Sequence, residues 1–467
     1  MAIGSARAQE GERVVASPDR TACSSGKPEK AVPGCTHIIQ DKASRPGDLA
    51  IALRNRGFAY QSRGDLDHAM ADYDAAIRLG ESAAESPIVF AKTYVNRGIA
   101  YAAKGDDAHA LADYSAALAV DPTLGVAYLN RAALALKAGD HSDALADLTE
   151  AARFSPKEPA IFVSRGALYG NQGDQDRAIA DFSTAIALNP VDPTAWRDRG
   201  MAWHKKGDEA RAEADAAEAL RLDPNNAGAH HDRGLSLQAS GRTGEALAEF
   251  GRAIALNPTA AETIKARGDT YFARGERDLA IADYNRAIEL QPNFRDAYNN
   301  RGAAYLAKAD WADAIADLGK AVALDPRLAA AYMNRGQALE ASGETDRAIA
   351  DFSDVIRLRP DSGPAYRHRG FLRHAKADYD GAFADYARAI KLNPSDEEAW
   401  RGRGLVNLEK RNGDAAVADL TQAIALKSDD ALAFYFRSMA YGLKRDLHRA
   451  DADDAVAVRL DPKLIKR

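Results

Sequence analysis

Arginine recurs every 34 residues, at Arg97, Arg131, Arg165, Arg199, Arg233, Arg267, Arg301, Arg335, Arg369, Arg403 and Arg437. Sixteen residues after each stands an acid, from Asp113 through Glu249 to Asp453, and an upstream Arg56 has Asp72 at the same offset. Two chemistries fit this series. The guanidinium groups are anion-binding fingers, or each is locked to its acid in an ion pair; an acid in all twelve places favours the pair. Arg97 with Asp113, Arg267 with Asp283 and Arg301 with Asp317 stand for the expected ladder. Removing one partner of a buried pair costs roughly 3–5 kcal/mol, which accounts for neither position drifting from its charge.

Other polar side chains repeat beside the arginine. Asn55, Asn96, Asn130, Asn300 and Asn334 immediately precede it, and an amide both donates and accepts hydrogen bonds. One place earlier stand Arg197, His231 and Lys265, with Arg367 and Arg401 further on. They form a candidate cationic wall for an acidic segment, although exposed charges are usual on any helix. No phosphate-cradling Walker loop, Gly-x-Ser-x-Gly elbow or His-Glu-x-x-His metal motif occurs. His204, His230 and His231 lie close together, but His230 falls where other repeats carry an aromatic core residue. The sequence therefore gives no catalytic residue, metal ligand set or cofactor site.

The elements positioning these residues follow from the same period. Counted from six places before the arginine, eleven contiguous repeats fill 91–464, ahead of a tail at 465–467. A twelfth occupies 50–83, and an insertion, 84–90, separates it from the rest. In 295–328, Tyr298, Gly302 and Tyr305 give one helical stripe, and Ala314, Leu318 and Ala321 give a second. Eight repeats place Gly between the helices, and Pro122, Pro190, Pro258, Pro326 and Pro394 are among those closing the second. Each helix pair has too little apolar surface to stand alone and must stack on its neighbours.

Aromatic, small residue, aromatic, then Ala, aromatic, Ala and a closing Pro: over about 50–464 this pattern resembles the tetratricopeptide repeat. It is similar to the Asn-Arg-Gly variety of bacterial members, with arginine where the family more often has an apolar residue. The resemblance implies an all-α fold, a right-handed solenoid or superhelix of tandem helix-turn-helix units. It also implies a concave groove lined by first helices that takes extended peptides or partner helices, with the asparagine row facing it. The carboxylate clamp of chaperone-binding members is incomplete here: Lys265 and Asn300 match, whereas Asp269, Ala330 and Asn334 do not.

Residues 1–22 read as a signal-like remnant and coil, and 23–49 as a degenerate half repeat. Met1–Ala8 ends in a small-x-small tail but lacks an apolar core, so a reading frame beginning upstream is expected. Cys23 and Cys35, the only cysteines, both fall in the half repeat. A disulfide there would staple a weak cap, worth about 3 kcal/mol by loop entropy; the alternative is two reduced buried thiols in a cytosolic protein. The secreted bacterial relatives that open similarly imply the disulfide and a periplasmic or secreted location.

Net charge is −6, and no basic stripe with interleaved aromatics appears, so nucleic acid is not an expected partner. No apolar run approaches the roughly 20 residues of a membrane helix. The expectation is a non-catalytic scaffold for a protein or peptide partner in the bacterial envelope. A cytoplasmic adaptor or regulatory subunit is the alternative.

Overall fold

A computed structural model describes residues 18–83 and 87–466, with the side chains of all but 80–88 and 465–466 among these. The signal-like stretch lies outside the described residues. Every regular element among them is helical: 26 α-helices follow one another and a 3₁₀ turn, Pro462–Lys466, closes the series. Two compact segments, 1–232 and 233–467, divide the chain. Each is built from successive helix pairs, and in eleven repeats the first helix packs on the second helix of its own repeat.

One repeat shows why the sequence folds this way. In Pro87–Ala103 and Asp107–Val120, Gly98 faces the ring of Tyr114, and a Cβ added to Gly98 would meet that ring at 2.6 Å. The missing side chain lets the helices cross closely enough to bury Ala100, Ala110, Tyr114 and Ala117 almost completely. The two repeats without this glycine carry smaller partners. Ala132 packs in a cluster with Leu148, and Ser438 Oγ approaches the Asp454 carboxylate at 3.4 Å.

The turn between helices needs a left-handed residue. Gly64, Gly105, Gly139, Gly173, Gly207, Gly241, Gly275 and Gly343 supply it with φ between 76° and 86°. The remaining four repeats adopt the same backbone without glycine, at Ala309, Ala377, Arg411 and Arg445. Just after the turn, Asp106, Asp174, Asp208, Asp378 and Asp446 accept a hydrogen bond from the backbone N–H three residues on and cap the second helix. Two first-helix rings tie back to the preceding turn: Trp196 and Trp400 donate to the Pro190 and Pro394 carbonyls.

In the segment 1–232, the first helix Pro46–Ser62 touches the next first helix, Pro87–Ala103, which touches Gly125–Ala138. In the segment 233–467, Arg295–Ala307 touches Ala329–Ala341, and Glu397–Glu409 touches both Gly363–Ala375 and Ala431–Leu443. Second helices of neighbouring repeats make no comparable approach. Within each segment the first helices therefore form the close-set side. The insertion is taken up by longer helices: Leu66–Ala83 has 18 residues and Pro87–Ala103 has 17, against 14 and 13 in most repeats.

At the N-terminal end, Pro18–Cys23 and Pro28–Gln40 pack together and a disulfide joins Cys23 to Cys35, both buried. At the other end the 3₁₀ turn folds against Leu447–Leu460 and buries Leu464.

Candidate interaction surface

The recurring arginines point inward, toward their own second helix. In eleven repeats Nε and Nη2 donate in parallel to the two carboxylate oxygens of the acid sixteen residues on. The distances are 2.8 and 2.7 Å for Arg97–Asp113, 2.8 and 2.7 Å for Arg267–Asp283, and 2.6 and 2.7 Å for Arg301–Asp317. The acid side chains are mostly buried, 10% exposed at Asp283, and the Arg267 side chain is 27% exposed. In the Arg233 repeat the longer Glu249 replaces aspartate; Arg233 Nη1 reaches it at 3.2 Å and Arg252 shares it at 2.8 Å. Most of these arginines also lie over the ring three places earlier, as Arg199 does over Trp196 at 4.8 Å. Hydrogen bonding to the acid holds the Arg97 and Arg301 guanidiniums above their ordinary pKa.

The third nitrogen, Nη1, reaches back to the preceding repeat. It donates to Thr36 from Arg56, Asp74 from Arg97, Ser183 from Arg199, Asn285 from Arg301, Ser353 from Arg369 and Thr421 from Arg437. One side chain thus clamps three helices. The pairing across repeats was not read from the sequence, although in four of the six a polar residue sixteen places before the arginine is its signal. A second, exposed series joins the end of a first helix to the start of the preceding second helix, as in Lys308–Asp278 at 2.7 Å. Such surface pairs contribute little.

The asparagines and cations beside the arginine are half-buried on the first helices. Asn55 accepts from Arg54 at 3.0 Å, and the Asn130 amide donates to the Val126 carbonyl at 2.8 Å. Asn300 donates to Asp269 at 2.7 Å, and Lys265 reaches the same carboxylate at 2.9 Å. The Tyr284 hydroxyl donates to it as well, at 2.8 Å. Asp269 therefore occupies, from inside the protein, the place that a ligand carboxylate would take beside Lys265 and Asn300. Asn334 touches Asn299 at 3.5 Å, and Asn96 stands at the matching place of its own repeat.

The other members of the cationic wall are similarly engaged. Arg197 pairs with Asp198 at 2.6 Å and lies 3.8 Å from Asp232. Arg367 pairs with Glu398 and Asp396, and Arg401 with Asp430 at 2.5 Å. Burial lowers the pKa of His231, which keeps its ring neutral at neutral pH. The wall is thus a set of internal ion pairs rather than bare positive charge. Asp198 and Asp269 stand one and four residues after their cations, whereas the acids that meet Arg367 and Arg401 lie 29 to 31 residues away, on the next repeat, where the sequence hides them.

Exposed large apolar side chains occur on both helices of the repeat, and on the first helices three of them share one register. Phe58, Phe371 and Met439, each two places after the arginine, remain 49, 53 and 48% exposed. Phe371 lines a cleft of about 420 Å³ with Glu340, Arg367, His368, Tyr386 and Phe436. His368 Nδ1 lies 2.8 Å from Glu340 and its ring stacks on Phe352 at 5.1 Å. Burial keeps the Tyr386 hydroxyl protonated well above its ordinary range. These three residues were not singled out from the sequence, because Ile99, Met201, Leu235 and Leu405 stand at the same place and are partly covered.

Family profiles described as tetratricopeptide repeat match residues 91–124, 164–227, 299–363 and 375–431, and one described as TPR repeat matches 268–309. The chain belongs to the tetratricopeptide-repeat family. Similar solved structures include the APC/C hetero-tetramer Cut9–Hcn1, at 15% identity over 90% of this chain and 95% of that one, TM-score 0.46. A tetratricopeptide repeat protein from Parabacteroides merdae matches at 19% identity over 53% of this chain and 98% of that one, TM-score 0.40. YrrB, described as a TPR protein with an unusual peptide-binding site, matches at 22% identity over 39% of this chain and 95% of that one, TM-score 0.34. A comparison with curated protein sequences found no match. Tetratricopeptide repeats support a role as a protein-interaction scaffold, and no helix among the described residues is long and apolar enough to cross a membrane.

Proposed function

We propose that this tetratricopeptide-repeat protein is a non-catalytic scaffold that holds an extended peptide or a partner helix against the close-set side that the first helices form within a segment. The observation carrying this reading is the exposure of one repeat position on the first helices, Phe58 in the segment 1–232 and Phe371 and Met439 in the segment 233–467. Large apolar groups left exposed on the side where neighbouring repeats approach most closely fit an interaction surface. The half-buried Asn55, Asn96, Asn130, Asn300 and Asn334 border the same side and supply amides to a peptide backbone. The Cys23–Cys35 disulfide supports a place in the bacterial envelope, since cytosolic thiols are held reduced.

The test is capture of partners from envelope and cytosolic fractions by the wild type and by a Phe58→Asp, Phe371→Asp, Met439→Asp variant. These surface changes leave the fold intact, so the reading predicts a partner retained by the wild type and lost by the variant. Equal capture by both moves the interaction to another surface. Thiol trapping before lysis tests the location: an envelope protein has Cys23 and Cys35 unreactive, and a cytosolic one has both alkylated.

A further inference from the structure

Arg54 stands two places before its repeat's arginine, the register that Arg197, Lys265, Arg367 and Arg401 share. Each of those four is met by a carboxylate. Arg54 is not: among the described residues its guanidinium donates only to Oδ1 of the neighbouring Asn55, at 3.3 and 3.0 Å. Burial pushes its pKa below the ordinary arginine value. A half-buried guanidinium without a counter-charge is costly, and two acids of this end of the chain, among the described residues, are engaged elsewhere. Asp48 holds Arg20 and Arg45, and Asp72 holds Arg56.

The sequence shows why no acid meets Arg54 from the next repeat. Arg367 and Arg401 take acids 29 residues on, Asp396 and Asp430, at the start of the next repeat. With the seven inserted residues counted, the matching place for Arg54 holds Phe90, and Lys92 stands two further on, where Arg367 has Glu398. The register place that supplies the acid to Arg367 and Arg401 thus holds an apolar ring and a like charge beside Arg54.

Arg54 lines a cleft of about 330 Å³ with Cys23, Gly26, Asn55 and Phe58. Its floor is the disulfide-joined cap, and Phe58 lies exposed at its edge. We infer that this cleft is an acid-reading subsite, taking the side-chain carboxylate of an aspartate or glutamate within a continuous partner peptide, followed by an apolar residue laid on Phe58. The inference rests on the reading that the first-helix side holds a peptide, and it fixes the chemistry of one position. A side chain is the source chosen, rather than a chain terminus, because Asn55 and Asn96 mark a path that continues onto the next repeat.

The test uses the full chain and fluorescein-labelled Gly/Ser decapeptides, C-terminally amidated, with one central Glu-Leu or Gln-Leu, followed by anisotropy. A third probe carries Gln-Leu and a free C-terminal carboxylate. The wild type is expected to bind the Glu probe about tenfold more tightly than either other probe, the worth of one hydrogen bond to a charged group. Arg54→Ala removes that preference, and Phe58→Ala weakens all three probes alike. Phe90→Asp places an acid at that register, so it abolishes the preference with Arg54 still present and without lowering the melting temperature. Equal binding of Glu and Gln probes, no binding at millimolar protein, a preference surviving Arg54→Ala, or a preference for the free terminus would each overturn the inference. Loss of this subsite leaves partner capture through Phe371 and Met439 unchanged, so its failure is distinguishable from failure of the scaffold reading.

Discussion

Arg301 grips Asp317 through two parallel hydrogen bonds of 2.6 and 2.7 Å, and the same side chain crosses to Asn285 of the preceding repeat at 2.6 Å. A charge that would be costly if left unpaired becomes the joint between repeats. The recurring arginine is thereby committed to the scaffold, and the guanidinium left for a ligand stands elsewhere, at Arg54.

Asp283→Asn tests the ladder. Arg267 keeps its burial and loses its counter-charge, so unfolding in urea should show a loss of about 3 kcal/mol, at the low end for a broken buried pair because Arg267 is partly solvated. Partner capture by the folded variant should be unchanged. Lost capture at unchanged stability would assign these arginines to ligand binding.

The four turns that lack glycine are a reserve of stability. Ala377 sits at φ 59° and Ala309 at 63°, where a side chain is strained. Ala377→Gly and Ala309→Gly are each expected to raise stability by up to about 1 kcal/mol, the relieved strain exceeding the added freedom of the unfolded chain. Calorimetric melting of the single and double variants reads this; a fall in Tm would show the turn to be unstrained.

Gly98 and Gly442 make a matched pair for the close crossing. An added methyl at Gly98 meets Tyr114 at 2.6 Å, whereas at Gly442 it meets nothing within 4 Å. Gly98→Ala should cost about 1–3 kcal/mol by overpacking. Gly442→Ala, inside a helix, should gain roughly 0.5–1 kcal/mol. Similar effects of the two changes would remove the packing explanation.

Burial raises the pKa of the Asp232 carboxyl to about 7, with Asp198 adding to the shift and Arg197, His204 and Lys205 opposing it. In the unfolded chain the same group titrates near 3.9, at about the ordinary value. The folded chain thus holds a proton that the unfolded chain releases, and this contribution to stability is full below about pH 4 and lost as pH rises through about 7. Asp232→Asn should flatten that fall and leave the protein more stable than the wild type at pH 8. Parallel pH profiles of urea midpoints for the two proteins would contradict it.

The fold was legible because its determinants are local and repeated. The 34-residue period, the small residue after the arginine and the turn glycines each act within one helix pair, and the structure is the all-helical array that they describe. The offset between Arg267 and Asp283 is visible in the same way, and two hydrogen bonds lie there. Features set by the register between repeats were not legible. The Arg301–Asn285 bond, the seat of Asp269 between Lys265 and Asn300, and the acids that neutralise Arg367 and Arg401 all depend on stacking geometry. A cation such as Arg367 therefore looked available in the sequence when its partner was waiting on the next repeat.

The most direct test of the scaffold account is site-specific photo-crosslinking in the native host. A benzophenone side chain would replace Phe371 or Met439 on first helices and, as controls, Leu279 or Leu188, which are 50 and 37% exposed on second helices. The account predicts one common protein adduct from Phe371 and Met439 and none from Leu279 or Leu188. Adducts from the second-helix positions alone would contradict it and place the partner on the opposite side of the repeats.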